Sequence, residues 1–263
     1  MYIIKVGGGN EINLEGVVSD LATLEQPFVV VLGANALRDS LAIRLEQEKV
    51  ELTSVSGYTS VFSDTTAIDL IMMAYSGLSN RRFVELCQRN GVNAVGLTGL
   101  DGRLIQGRRN RGIKVREGKK TLVKRDLSGK PLSVNVSLLK TLLEQGYRPV
   151  LSIPIIDEGG FAINSENDDI VAVLQSALRA EKLVQLIEAP GFLEDKNDEH
   201  SVLTTLSVTE LEDREAAVEG RMKRKILALR RLFDAGAAKV IIADGRTEHP
   251  VLDALAGKGT TIQ

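Results

Sequence analysis

The stretch Tyr2-Ile-Ile-Lys5-Val-Gly-Gly-Gly9 opens the 263-residue chain with a short apolar run that carries one lysine and ends on three consecutive glycines. An apolar run bounded by glycine, without alternation, suits a strand buried on both faces of a mostly parallel sheet. Similar runs, bounded by Gly or Pro, recur at Phe28–Leu32, Ala94–Leu97, Pro149–Ile153, Leu183–Ile187 and Lys239–Ala243. Between them lie stretches with helical spacing: Leu14–Leu24, Ala36–Gln47, Thr66–Tyr75, Arg81–Asn90, Val136–Gln145, Asp168–Ala180, Val208–Val218 and Met222–Ala235. Such alternation predicts an α/β fold, a three-layer αβα sandwich around a mostly parallel sheet.

Leu100–Lys130 breaks the rhythm, being polar and punctuated by glycine, and reads as hairpins projecting from the sheet. Pro154–Ile163 is a second hairpin candidate, turning at Glu158-Gly159-Gly160. With no Ser/Pro-rich linker or repeat, residues 1–263 read as one domain, and if there are two lobes they join near Ala180.

Hydrophobic residues at 43% and charged residues at 26% exclude disorder as the general state. A net charge of −2 provides no global field for nucleic acid or membrane, so any electrostatic partner must be recruited by a local patch. Cys87, the single cysteine, has no disulfide partner, which points to a reducing, cytoplasmic compartment. The first residues resemble neither a signal peptide nor a membrane span.

Gly7–Gly9 directly follows the first strand and precedes a helix, where backbone N–H groups can converge on an anion; a tight turn needs the same residues. Lys5, one place before the end of a buried strand, is costly to bury unless an anion waits there, the alternative being an edge lysine that reaches solvent. Walker A and Rossmann fingerprints are absent. His200 and His249 have no neighbours at metal-ligand spacing, and no metal site is assigned.

Lys5-Val-Gly-Gly, the segment Ile163-Asn164-Ser-Glu-Asn-Asp168, and Gly220-Arg-Met-Lys-Arg-Lys225 occur in an order that resembles the N-acetylglutamate kinases of the amino acid kinase family. The chain is more similar to the branch acting on substrates tethered to an amino-group carrier protein, the [carrier]-aminoadipate and [carrier]-glutamate kinases of lysine and arginine synthesis. Gly77-Leu-Ser-Asn80, Asn93–Gly102, Gly107-Arg-Arg and Gly257–Ile262 extend the likeness over nearly the whole chain. The resemblance implies ATP, with Mg²⁺ delivered by the nucleotide, and an acyl phosphate as product. It also implies a homodimer, with acceptor binding and dimerisation in residues 1–180 and ATP binding in 181–263.

By the same resemblance, Lys5 and Lys225 lie along the transferred phosphoryl group and Asp168 orients both ammonium groups. Gly7, Gly8, Gly33 and Ala34 surround the phosphates, with Gly8 and Gly33 giving N–H donors, and Asn164 touches the substrate. Taken alone, Asn164–Asp169 reads equally as an acidic helix start, and Arg221–Lys225 as a solvated cationic face.

Two departures stand out. The family's His-Gly-Gly is replaced by Leu32-Gly33-Ala34-Asn35, and alanine visits positive φ less freely than glycine, so a displaced loop is expected. Val61 occupies the position of a family arginine that resembles a clamp for the substrate's α-carboxylate, leaving Arg81, Arg82 or Arg109 as possible substitutes, unless the acceptor differs or turnover is lost.

Between Arg108 and Lys130 the sequence holds ten cations, among them Arg108, Arg109, Arg111, Lys114, Lys119 and Lys120, against two anions, Glu117 and Asp126. A small acidic carrier protein docking here explains that polarity. RNA is disfavoured by the lack of aromatic stacking residues, and a plain solvated hairpin is the third reading.

Overall fold

The computed structural model describes residues 1–263 except 48, 49, 56, 58, 119, 196, 218, 219 and 238; the side chains of 59, 60, 117, 217, 220–222, 224 and 225 are also outside the description. The first half runs β1 (Tyr2–Val6), α1 (Leu14–Ala22), β2 (Phe28–Leu32), α2 (Asn35–Arg44), β3 (Glu51–Thr53), β4 (Thr59–Val61), α3 (Thr65–Ile71), α4 (Asn80–Arg89) and β5 (Ala94–Thr98). A projecting region follows, with β6 (Ile105–Arg109), β7 (Ile113–Glu117), β8 (Lys120–Lys124) and β9 (Gly129–Val134). Then come α5 (Val136–Glu144), β10 (Arg148–Ser152), β11 (Ile155–Ile156), β12 (Ala162–Ile163), α6 (Asn167–Leu178) and β13 (Lys182–Ile187). The chain ends with β14 (Thr205–Leu206), α7 (Val208–Ala217), α8 (Gly220–Asp234), β15 (Val240–Asp244), α9 (Pro250–Leu255) and β16 (Thr260–Ile262).

The central sheet has the order β14-β16-β15-β13-β1-β2-β10-β5, and the six apolar runs of the sequence are its parallel members. Only β16 and its partner β14 run the other way; together with α9, they carry no long apolar run and were not expected from sequence. β13 pairs with β1 from Tyr2↔Lys182 onward, so one sheet spans the point near Ala180.

Strand alternation sorts the two faces. Tyr2, Ile4 and Val6 of β1 pack with Val17 and Leu21 of α1, Phe83 and Cys87 of α4, and Val251 of α9. Ile3 packs on the opposite face, with Ile170 and Leu174 of α6 and Ile226, Leu229 and Leu232 of α8. Lys5 therefore shares the α6 and α8 side. Cys87 is buried, which pushes its thiol pKa up to about 12.

The helices expected at Thr66–Tyr75 and Arg81–Asn90 are instead one continuous helical run, because Met72–Ser79 forms a π-helical segment between α3 and α4. Gly77 does not interrupt it. The inserted turn leaves the Tyr75 side chain buried in the face that holds α6. Among the described residues no helix is long and apolar enough to cross a membrane.

Candidate active site

The carboxyl ends of β1 and β2 meet where two glycine turns touch. A Cβ on Gly8 would stand 2.3 Å from Asn35 Oδ1 and 2.4 Å from the Ala34 nitrogen, and one on Gly33 would stand 2.6 Å from the Gly8 nitrogen. Both residues are glycine because another backbone occupies the Cβ position. The Gly33 N–H, expected to serve as a phosphate donor, donates to the Val6 carbonyl at 2.9 Å, and the Gly7 N–H donates to Leu186 O at 2.9 Å. Gly33 thus supplies close approach, not a spare donor.

Ala34 has φ −155° and ψ 32°, a negative φ that does not call for glycine, and is 3% exposed. The displaced loop expected from losing a glycine here does not follow, because no positive φ is required. Gly9 is constrained from another direction: its Cβ would fall about 2 Å from the Glu188 carboxylate, which accepts the Glu11 N–H at 2.6 Å.

Lys5 extends from this edge and donates its ammonium to Asp168 Oδ1. Asp168 and Asp169 sit in the first turn of α6, where the helix dipole favours negative charge. Asp169 accepts from Arg231 of α8 at 2.5 Å, which ties the two helices together. Lys5 and Asp168 keep side-chain exposures of 15% and 23%, so the pair is covered by protein yet open on one side. Beside it, the buried Ser165 Oγ and Asn167 Oδ1 have no hydrogen-bond partner among the described residues, polar capacity at the start of α6. Lys225 belongs to α8, but its side chain lies outside the described residues.

Asn164 lies just before α6 and donates its amide to Ser63 Oγ at 2.9 Å. The Ser63 N–H donates in turn to the buried Asp126, so one of the two anions counted in the projection faces inward. Ser63, Asp126, Arg109, Asn110 and Arg125 line a cavity of about 420 Å³ between the projection and the segment that leads into α3. Val61 lies on the other side of the same segment, in a cavity of about 100 Å³ that also holds Arg38.

Of the three substitutes expected for the missing arginine, Arg81 donates to Asn80 Oδ1 and Gly96 O, and Arg82 pairs with the exposed Glu85. Arg109 pairs with Asp157 at 2.9 Å and lies over the Phe161 ring, turned toward the hairpin of β11 and β12. Arg108, Arg111, Lys114 and Lys120 are exposed on the projection, while Lys119 lies outside the described residues. Tyr75, Arg38 and Glu188 had no distinguishing sequence signal. Burial pushes the Tyr75 hydroxyl up to about 12, opposed by the Arg38 charge and a hydrogen bond from the Ala34 backbone.

His249 pairs with the buried Asp20. Among the described residues no group of three His, Cys, Asp or Glu side chains is placed to hold a metal ion.

The profile described as "Amino acid kinase family" matches residues 1–244. The chain is 40% identical to the "[LysW]-aminoadipate kinase" of Thermus thermophilus over 269 residues, covering 100% of both chains. It is 37% identical to the protein of that name from Deinococcus radiodurans, covering 100% of this chain and 91% of the other. Among solved structures, an N-acetylglutamate synthase from Neisseria gonorrhoeae, in complex with coenzyme A and N-acetyl-glutamate, matches with a TM-score of 0.80 at 20% identity. That match covers 99% of this chain and 58% of the other.

Proposed function

The chain belongs to the amino acid kinase family, and from that premise we propose that it phosphorylates a carboxylate borne by a carrier protein. The donor is ATP. The acceptor is the side-chain carboxylate of an amino-blocked aminoadipate, or of glutamate, and the product is an acyl phosphate. The observation that carries the reading is the Lys5–Asp168 pair at the edge of two touching glycine turns. The acceptor follows from full-length relatives named for LysW-linked aminoadipate.

Phosphoryl transfer asks a protein mainly to position the reactants and to stabilise charge on the equatorial oxygens. Lys5 does this with a localised positive charge, and Asp168 holds the ammonium in place. Lys225 is assigned the matching position on the nucleotide side. The backbone around Gly7, Gly8 and Ala34 borders the phosphates, and Asn164 borders the acceptor. No general base is required, because a carboxylate with an ordinary pKa of about 4 is already ionised at neutral pH. Mg²⁺ enters as part of the MgATP substrate, bound by phosphate oxygens and water.

An acidic carrier docks on Arg108, Arg111, Lys114, Lys119 and Lys120, with Arg109 at the inner end of the same region. The remaining parts of the proposal are a cytoplasmic homodimer and a single domain with the acceptor side in 1–180 and the nucleotide side in 181–263.

The test is to incubate the protein with MgATP and carrier-linked or acetylated aminoadipate and glutamate, trapping acyl phosphate with hydroxylamine. Hydroxamate from carrier-linked aminoadipate is expected. Hydroxamate from acetylated acceptors alone would move the activity to free small molecules. A folded protein that binds ATP and carrier but yields no hydroxamate would be a homologue without turnover.

A further inference from the structure

An N-blocked aminoadipate or glutamate bears a second carboxylate, on its α-carbon, that does not react. Two carboxylates at one site repel unless each meets a cation, and the second one decides which acceptors fit. Val61 offers no charge at the position facing this part of the site. Of the arginines first expected to replace it, Arg81 is held on the Gly96 carbonyl and Arg82 on Glu85, while Arg109 pairs with Asp157, lines the larger cavity and keeps a buried Nε without a partner among the described residues.

Arg38 is differently placed. Its N–H bonds to the Ala34 carbonyl, which puts it one turn of α2 beyond the residue that abuts Gly8. One turn is about 5–6 Å along the axis, the length scale of the carbon chain between the two carboxylates of such an acceptor. The Arg38 side chain is only 15% exposed and shares its small cavity with Val61, Phe62, Asp64 and Leu70. That cavity, about 100 Å³, has room for the carboxylate end of an acceptor and not for a nucleotide. Nε and Nη2 both donate to a single oxygen, Asp39 Oδ1, at 2.9 and 2.6 Å. A guanidinium has five N–H donors, so this contact fixes its orientation and leaves donors for a second carboxylate.

Tyr75 links this cavity to the phosphoryl end. Its buried side chain packs in one cluster with Ala34 and with Ile170 and Val171 of α6, and its hydroxyl feels both the Arg38 charge and Glu166, the residue that precedes α6. Arg38, Ala34 and the start of α6 therefore border one contiguous region.

We propose that Arg38, oriented by Asp39, binds the α-carboxylate of the acceptor and takes over the role that an arginine at position 61 would otherwise have. The inference rests on the carboxylate-kinase reading above and adds to it the residue that sets acceptor specificity. The small, apolar Val61 leaves the space into which that carboxylate reaches.

The test compares carrier-linked and N-acetylated aminoadipate, each with a free α-carboxylate or with an α-carboxamide, in wild type, Arg38→Leu, Arg38→Lys and Arg38→Leu/Val61→Arg. Wild type should favour the acid over the amide by about 10- to 100-fold in kcat/KM, mainly through KM. Arg38→Leu should erase that preference, Arg38→Lys should keep part of it, and the added Val61→Arg should restore it. Thermal unfolding shows whether each variant is folded, and Arg38→Lys keeps the question answerable if Arg38→Leu is not. Hydroxamate formation with the acid preference intact in a folded Arg38 variant overturns the inference and leaves the kinase reading standing; loss of the preference in Arg109→Leu instead would put the clamp in the larger cavity. A wild type that forms hydroxamate from none of the acceptors overturns the kinase reading, and this inference with it.

Discussion

Lys5 on β1 and Asp168 in the first turn of α6 are 163 residues apart in sequence and joined by a hydrogen bond. Their side chains are 15% and 23% exposed, and in the proposed transfer each is expected to act most strongly on charge that develops in the transition state. Lys5→Ala and Asp168→Ala should each lower kcat by about 10²–10³-fold, with a smaller change in KM for ATP. Asp168→Asn, which keeps the volume, should lose nearly as much. Hydroxamate assays paired with thermal unfolding check this, and wild-type turnover in any of these variants removes that residue from the mechanism.

Gly8 and Gly9 should respond differently to alanine although they are neighbours. At Gly8 the added methyl meets the Ala34 and Asn35 backbone, which cannot move without shifting α2. The expected cost is about 1–3 kcal/mol of stability, together with a marked loss of activity. At Gly9 the obstacle is the end of the flexible Glu188 side chain, so Gly9→Ala should be milder on both counts. Urea denaturation of the two variants separates the cases; equal losses would show that the glycine contacts do not set the cost.

Asp20, 1% exposed, accepts from His249 and from the N–H groups of Val251 and Leu252, and so fastens α9 to α1. The hydrogen bond to Asp20 raises the His249 pKa above the ordinary value of about 6.5. A raised folded-state pKa means that this contribution is complete below the ordinary value and is lost as pH rises through the raised one. Tm should therefore fall over that window in wild type, and His249→Gln should flatten this part of the profile. Asp20→Ala should be worse at every pH, since each buried N–H left unpaired costs about 1–3 kcal/mol. A wild-type profile that matches His249→Gln would remove the histidine from the account.

Arg111, Lys114 and Lys120 are exposed on the projection, with the nearby Asp126 turned inward. Reversing the three to Glu should abolish binding of an acidic carrier at low salt while leaving ATP binding intact. In the unaltered protein the attraction should weaken as the Debye length shrinks from about 10 Å at 0.1 M to about 3 Å at 1 M salt. Carrier titrations at both salt concentrations decide this, with RNA as a parallel ligand. Carrier binding that survives the reversal, or an RNA preference in the parent, would count against the docking face.

Local order in the sequence was enough to locate much of this molecule. The six parallel strands and most of their flanking helices are readable because the apolar runs are largely buried and the helices carry an apolar stripe, and such burial leaves a mark in consecutive residues. Lys5, the glycines and Asp168 could be singled out for similar reasons, since a lysine in a buried strand, three adjacent glycines and an acidic helix start are each unusual locally. The edge strand β14, its neighbour β16, the short α9 and the π-helical segment left no such mark: the first three are too short for periodicity, and the last differs from an α-helix only in hydrogen-bond offset. Only the tertiary structure decided which face of β1 carries Lys5 and hence which helix end meets it. It also decided that the Gly33 N–H is spent inside the sheet, and that Arg38 shares a cavity with Val61. The physical reason is that these relationships depend on strand order and on contacts between segments far apart in the chain, and neither is encoded in the spacing of neighbouring residues.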